Sequence, residues 1–140
     1  MEKLNDVLKD LIIEKDLSLR TITKESGVSS NQYSKYLRQS IPSINVAMKI
    51  CNYFECSLDY LCGLTLNKTK SNYTNFDVNK FIENYEKLLS KNHISHYKFA
   101  KEINISESCL RHWEYGQSPT LNIVCKIAVG LSTTIDNLIK

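Results

Sequence analysis

The fold is decided by one stretch of the chain, Leu17-Ser18-Leu19-Arg20-Thr21-Ile22-Thr23-Lys24-Glu25-Ser26-Gly27-Val28-Ser29-Ser30-Asn31-Gln32-Tyr33-Ser34-Lys35-Tyr36-Leu37-Arg38. Its pattern predicts two short helices joined by a tight turn. Gly27 lies where the first helix must end with a positive φ, which costs a glycine little. Ser29 can then cap the second helix by accepting a hydrogen bond from a free backbone N–H. Because Ile22, Tyr33 and Leu37 give both helices an apolar face, the two helices are expected to share a core.

The chain repeats this stretch at a constant offset of 77 residues. Residues 94–106 align with residues 17–29 without a gap, and Gly27 corresponds to Asn104, another residue type that tolerates a left-handed backbone. The same offset pairs Pro42 with Pro119, Asn45 with Asn122, Lys49-Ile50 with Lys126-Ile127, and Asp59 with Asp136. A period as long as one small domain predicts two domains of similar fold.

Both copies resemble the Cro and lambda-repressor type of helix-turn-helix domain, often called the XRE family. The second copy carries the motif Trp113-Glu114-Tyr115-Gly116-Gln117-Ser118-Pro119-Thr120-Leu121, and the first carries the closing motif Ser57-Leu58-Asp59-Tyr60-Leu61-Cys62-Gly63. The resemblance implies that the second helix of each helix-turn-helix enters the major groove of DNA. The sequence departs from the family at Leu37 and Gln39, where glutamate and glycine are usual, and at Leu19 and His96, where a phosphate-binding glutamine is common.

The predicted fold is all-α, with two tandem five-helix lambda-repressor-like domains joined by a short polar linker. The domains are residues 1–64 and 78–140, and the linker is residues 65–77. Apolar spacing and capping residues predict helices at about 3–14, 18–26, 30–38 and 57–61, and then at about 78–92, 95–103, 107–115, 121–131 and 134–139. Between 38 and 57, a fourth helix is expected to follow Ser43 and to bury Ile44, Ala47, Met48, Ile50 and Cys51. Within the linker, Tyr73 and Phe76 are expected to pack against the second domain.

Composition excludes several other functions. No apolar run is long enough for a membrane span and the N-terminus lacks the form of a signal peptide, so we expect a cytoplasmic protein with no membrane partner. The five cysteines form no C-x-x-C pair, and no catalytic or phosphate-binding motif is present. The sequence therefore predicts no enzyme activity, no metal and no cofactor. Four of the cysteines are expected to fill the core, whereas Cys109, in the second recognition helix, has the alternative of an accessible, redox-sensitive thiol.

Charge contributes little to the functional prediction. The net charge is +3, and residues 1–64 hold eight Lys and Arg against eight Asp and Glu. DNA binding needs only a local basic stripe, so the prediction of a DNA partner depends on the motif.

In the first copy, the recognition helix is expected to bury Tyr33 and Leu37, to half-cover Tyr36, and to expose its polar side chains. The candidate DNA contacts are Arg20, Ser29, Ser30, Asn31, Gln32, Ser34, Lys35 and Arg38. Asn and Gln pair with the groove-side atoms of adenine, while Lys and Arg suit phosphates or guanine. The competing interpretation is a merely solvated helix face.

In the second copy, the candidates are Ser106, Ser108, Arg111 and His112. The fork of Arg111 matches N7 and O6 of guanine, whereas Glu107 would repel the DNA backbone unless it accepts from a cytosine amino group. Leu110 and Trp113 are expected to be buried. The alternative for this copy is a dimerisation or partner-binding surface.

The favoured function is a sequence-specific regulator of transcription that binds double-stranded DNA, a repressor, with a protein regulator as a further partner. The alternative is a protein-interaction module, antitoxin-like or the inhibitor of a sensor. Two architectures remain open. A tandem reader would place two recognition helices ~34 Å apart on one duplex, which a thirteen-residue linker spans only when stretched, since it reaches ~43 Å at most and averages ~20 Å. A homodimer would pair chains through the second copy and favour a palindrome, and it is slightly preferred.

Overall fold

The computed structural model describes residues 2–140 and divides the chain between Asn75 and Phe76 into two compact units. Within the described residues there are ten helices and no strand, so the all-α prediction is confirmed. The first unit, which ends at Asn75, contains α1 (Glu2–Lys15), α2 (Leu19–Ser26), α3 (Ser30–Leu37), α4 (Ile44–Phe54) and α5 (Leu58–Leu61). The second unit, residues 76–140, contains α6 (Val78–Lys91), α7 (His96–Glu102), α8 (Cys109–Glu114), α9 (Leu121–Gly130) and α10 (Ile135–Ile139).

Serine caps start four helices of the first unit. The side chains of Ser18, Ser29, Ser43 and Ser57 each accept a hydrogen bond from the backbone N–H three residues further on. These bonds satisfy donors that have no partner within the helix. They fix where α2, α3, α4 and α5 begin.

The core of the first unit places α1 against α3 and α5. Leu4, Leu8 and Leu11 of α1 are fully buried with Ile22 and Tyr33. We expected α3 to bury Tyr33 and Leu37. Tyr33 is buried, but the prediction for Leu37 was wrong, because Leu37 is 38% exposed and Tyr36 is only 7% exposed. The buried side of α3 therefore has i, i+3 spacing, and the larger apolar surface of the tyrosine is the one removed from water.

Aromatic side chains form the core of the second unit. Phe81 and Tyr85 of α6 pack edge-on against Trp113 of α8, with ring centroids 5.1 and 5.8 Å apart, and Phe99 of α7 lies 6.0 Å from Tyr85. Trp113 is 2% exposed, as expected for a core residue. Edge-to-face contacts of this kind add to the stability gained by burial.

Cys109 also belongs to this core. Its side chain is buried, and burial raises the pKa of the thiol. A raised pKa keeps the sulfur in its unreactive protonated form. The alternative of an accessible thiol on the DNA-facing surface is therefore wrong.

Left-handed backbone positions recur at the 77-residue offset. They are Asp16 and His93 (φ 53° and 55°), Gly27 and Asn104 (76° and 60°), Gln39 and Gly116 (91° and 100°), and Glu55 and Ser132 (55° and 52°). Side-chain caps recur as well, with Ser95, Thr120 and Thr134 starting α7, α9 and α10 at the positions of Ser18, Ser43 and Ser57. These positions mark the ends and starts of helices, so helices end and begin at matching positions in the two units.

The segment expected to be a linker lies mostly in the first unit. Tyr73 is 7% exposed and hydrogen-bonded to Asn52 and Leu58, so the expectation that it packs against the second domain was wrong. Phe76 does lie in the second unit, 5.8 Å from the ring of Phe81. The polar composition of this segment predicts an unstructured linker. The structure instead attaches it through Tyr73, whose hydroxyl accepts the backbone N–H of Leu58.

Two searches of residues 2–140 bear on other functions. None of the helices in that range has the length and apolarity that crossing a bilayer requires. No three His, Cys, Asp or Glu side chains of the same range come together as ligands for a metal ion.

Candidate nucleic-acid interface

The turn between α2 and α3 has the backbone that the sequence predicted. Gly27 ends α2 with φ 76° and ψ 12°, and its N–H donates to the carbonyl of Thr23 at 3.1 Å. A Cβ at this position would meet no atom within 4 Å, so the backbone conformation alone explains the glycine. The turn orients α3 relative to α2.

A capping box fixes the first turn of α3. The hydroxyl of Ser29 accepts from the N–H of Gln32 at 3.2 Å, and the side-chain Oε1 of Gln32 accepts from the N–H of Ser29 at 3.0 Å. The Nε2 of Gln32 donates to the hydroxyl of Tyr36 at 3.5 Å. Both ends of the Gln32 amide are thus engaged within the protein. The spacing Ser-x-x-Gln is a capping-box signature, so the sequence itself indicates this role for Gln32 beside the predicted base contact.

The exposed side of α3 is polar. Ser30, Asn31, Ser34 and Lys35 are exposed, and in the part of the chain that the structure describes their side chains make no hydrogen bond or ion pair. Tyr33 and Tyr36 occupy the opposite, buried side, where the Tyr33 hydroxyl lies 2.6 Å from Oγ of Ser26. The recognition side therefore has donors and acceptors open to an external partner.

Two arginines border this helix-turn-helix. Arg20 lies in the first turn of α2 and Arg38 directly follows α3. Both are exposed, and neither is within ion-pair distance of a carboxylate among residues 2–140. Their charge is uncompensated locally, as a phosphate contact requires.

The equivalent helix of the second unit begins later. We expected it to start at Glu107, but α8 begins at Cys109, and its first residue follows Ser108, whose side chain makes no capping bond. The hydroxyl of Ser106 lies 2.8 Å from that of Ser108 and accepts the N–H of Ser108 at 3.4 Å. Since Cys109 occupies the position of Gln32, no capping box can form, and α8 loses its first turn.

His96 holds the turn that precedes α8. Its Nδ1 lies 2.7 Å from the Tyr85 hydroxyl, and its Nε2 lies 2.9 Å from the carbonyl oxygen of Glu107. A carbonyl can only accept, so Nε2 donates to Glu107, and in the neutral ring Nδ1 accepts from the Tyr85 hydroxyl. No local pattern in the sequence predicts this role for His96, because both partners lie 11 residues away along the chain. Leu19, at the matching position of the first unit, is partly exposed.

The candidate contacts of the second unit share their surface with carboxylates. Ser106, Ser108, Arg111 and His112 are all exposed. A shallow pocket beside them is lined by His96, Glu107, Ser108, Leu110, Arg111 and Glu114. Leu110 is half-buried rather than buried, because it forms part of this pocket. The surface around Arg111 therefore carries mixed charge, unlike the neutral and basic exposed side of α3.

The comparisons with known proteins agree with this geometry in the first unit. Searches among curated proteins and among solved structures find no match. A family model does match, and the matched residues include all of α2, α3 and α4 and the turn at Gly27. The model is that of the helix-turn-helix family (HTH_3), and residues 8–61 of the chain match it.

Proposed function

We propose that this protein is a sequence-specific regulator of transcription that binds double-stranded DNA through α3 and acts as a repressor. The observation that carries the proposal is the open polar side of α3 within the segment that matches a DNA-binding rather than a catalytic family. A short helix with such a side, positioned by a helix-turn-helix, enters the major groove. A chain of small DNA-binding units acts most directly by occupying its site and excluding other proteins.

The side chains of the first unit divide between base and phosphate contacts. Asn31 offers the amide that pairs with N6 and N7 of adenine, and Lys35, one turn further along α3, can donate to guanine or to a phosphate. Ser30 and Ser34 add short hydroxyl contacts. Arg20 and Arg38, at the ends of the motif, suit the DNA backbone. The roles of Ser29 and Gln32 are to hold the helix start, since their polar groups are bonded to each other.

We propose further that the second unit is a second copy of the same domain. Its left-handed positions and caps at the 77-residue offset support this. The shorter α8 and the carboxylates of Glu107 and Glu114 disfavour a DNA contact there, so we assign it to pairing two chains in a homodimer. Arg111, with Ser106, Ser108 and His112, would contact DNA in the rival tandem arrangement.

One observation favours protein binding as a second function of this unit. Val129 of α9 is 62% exposed and lies in an apolar groove with Ile103, Cys125, Lys126 and Gly130. An exposed apolar groove is typical of a protein-binding surface. A protein regulator, or an antitoxin-like partner, would bind here.

The test measures binding of the full chain to an operator selected from random duplexes. We expect Asn31→Ala to lower affinity for the selected site by ~1–3 kcal/mol while affinity for unrelated duplexes stays the same, because the lost contact is to a base. Lys35→Ala, if this lysine meets a phosphate, should reduce the salt slope by about one unit for all sequences.

Exposed residues of the same types provide matched controls. Asn67→Ala and Lys49→Ala remove an amide and an ammonium group from surfaces outside α3, and both should bind like the parent chain. Thermal unfolding should be unchanged in all four variants, since each side chain is exposed. If the parent chain binds every duplex weakly and without salt dependence, the DNA-binding proposal is wrong and the protein-interaction function becomes the better one.

A further inference from the structure

Residues 65–75 follow α5 and belong to the first unit. Near the end of this segment, Tyr73 is held by Asn52 and Leu58, and we call these three residues the clamp. The Asn52 amide donates from Nδ2 to the carbonyl of Tyr73 at 2.8 Å and accepts the N–H of Tyr73 through Oδ1 at 2.9 Å. The hydroxyl of Tyr73 accepts the N–H of Leu58, the first residue of α5, at 2.9 Å. Tyr73 is therefore held by both its backbone and its side chain.

The clamp is one of several attachments of this segment, in which Ser71 is also buried. Two ion pairs also join it to the first unit, Lys68 with Glu14 at 3.7 Å and Lys70 with Glu55 at 3.4 Å. All four of these side chains are about half exposed, and exposed pairs contribute little. Asn52 itself is exposed, but Tyr73 and Leu58 are buried, and leaving the N–H of Leu58 without a partner there would be costly.

The helix that carries Asn52 does not itself need an amide at this position. The matching position on α9 of the second unit is Val129, which is exposed on an intact helix. A helix of this kind therefore forms with an apolar, β-branched residue in place of Asn52. The amide acts on the segment rather than on the helix.

The clamp leaves a very short connection between the two units. Phe76 packs beside Phe81, and the carboxylate of Asp77 caps α6 by accepting from the N–H groups of Asn79 and Lys80. Only Thr74 and Asn75 lie between Tyr73 and Phe76. Three Cα steps reach about 10 Å. Release of the whole segment back to Leu64, including its ion pairs and Ser71, would give twelve steps that reach about 40 Å, so this is the upper limit for the lengthened connection.

We propose that Asn52 is a positioning residue that sets which half-site spacing the protein accepts on DNA. This inference rests on the proposed function. It holds for a tandem reader and for a homodimer paired through the second unit, because the distance between recognition helices depends on the connection in both. With a short connection, the protein binds well at one half-site spacing only. With a long connection it binds at many spacings, but the effective concentration of the second recognition helix at its half-site is lower.

The experiment compares duplexes whose two half-sites are separated by a series of spacers with a duplex that carries a single half-site. The parent chain should prefer one spacing and lose affinity when the spacer changes by about five base pairs, which moves one half-site to the opposite face of the duplex. Asn52→Ala should flatten this profile. Because the bond of the Tyr73 hydroxyl to Leu58 remains, affinity at the best spacing should fall by at most about eightfold for each connection, the value for a fourfold longer link. Its affinity for the single half-site should equal that of the parent.

Two further variants complete the experiment. Asn67→Ala, in the same segment but outside the clamp, should keep the parent profile. An insertion of about nine Gly and Ser residues between Thr74 and Asn75 leaves the clamp intact, lengthens the connection to a flexible coil, and should flatten the profile as Asn52→Ala does. If Asn52→Ala does not fold, the insertion still tests whether the short connection sets the half-site spacing.

Three results would overturn the inference. They are a flat profile for the parent chain, a profile that the insertion leaves unchanged, and a profile that the insertion flattens while folded Asn52→Ala keeps it. Each of these results counts against the inference only when the same protein still binds the single half-site specifically. Absence of any specific binding to the single half-site would instead contradict the proposed function.

Discussion

At the scale of single residues, Gln39 and Gly116 occupy the same backbone position with different consequences. Their φ angles are 91° and 100°, a region that glycine enters freely and other residues enter at a cost of about 1–3 kcal/mol. The sequence showed glutamine where the resembled family has glycine. The structure shows that the backbone keeps the glycine conformation nevertheless, so the first unit stores strain at this turn.

We expect Gln39→Gly to stabilise the first unit by about 1 kcal/mol, because relief of strain exceeds the entropy that glycine adds to the unfolded chain. Gly116→Ala should destabilise the second unit by a similar amount, and since a Cβ there would meet no atom within 4 Å, the loss comes from the backbone alone. Urea unfolding is followed by circular dichroism for the whole chain and by fluorescence for the second unit, where the single tryptophan, Trp113, is buried.

The fluorescence midpoint supplies the control for this pair of variants. Gly116→Ala should lower it and Gln39→Gly should leave it unchanged. A Gln39→Gly chain that unfolds earlier than the parent would show that the side chain of Gln39 contributes more than its backbone strain costs.

At the scale of helices, the starts of α3 and α8 differ because of one position. Gln32 closes a capping box with Ser29, whereas Cys109 cannot do so with Ser106. The buried thiol instead joins the aromatic core beside Tyr85, whose pKa is raised by burial. The second unit thus has a shorter recognition helix, whose first residue, Cys109, belongs to the core.

Ser29→Ala should destabilise the first unit by about 1 kcal/mol and weaken DNA binding, because α3 loses the bond that fixes its first turn. Ser106→Ala is the matched variant at the same position of the second unit. It should cost clearly less, since the Ser106 hydroxyl caps no helix and bonds only to the neighbouring turn. Equal losses in urea unfolding would mean that the capping box contributes nothing beyond what a turn serine does.

At the scale of the whole molecule, the number of chains on the operator separates the two architectures. We expect two chains on a palindromic site, because the surface around Arg111 carries the carboxylates of Glu107 and Glu114 and suits DNA poorly. Light scattering of the free protein and of its complex with the selected operator measures the mass directly. A single chain bound across an asymmetric pair of half-sites would contradict the homodimer and support the tandem reader.

The sequence by itself determined the all-α fold, the turn at Gly27 and the serine caps of α2 to α5. These features depend on neighbouring residues, so glycine at a left-handed turn and a serine three residues before a free N–H suffice to predict them. The exposure of Asn31 and Lys35 followed from the same helical periodicity. Even the bonded state of Gln32 was present in the sequence as a local pattern.

The tertiary structure decided the features that depend on contacts between distant residues. The burial of Tyr36 in place of Leu37, the role of His96 between Tyr85 and Glu107, and the clamp on Tyr73 join residues from different elements. Periodicity indicates which side of a helix is buried but not which of two apolar neighbours fills the available space. A polar composition likewise predicts an unstructured linker, since it contains no information about a distant asparagine whose amide can pair with the backbone of that linker.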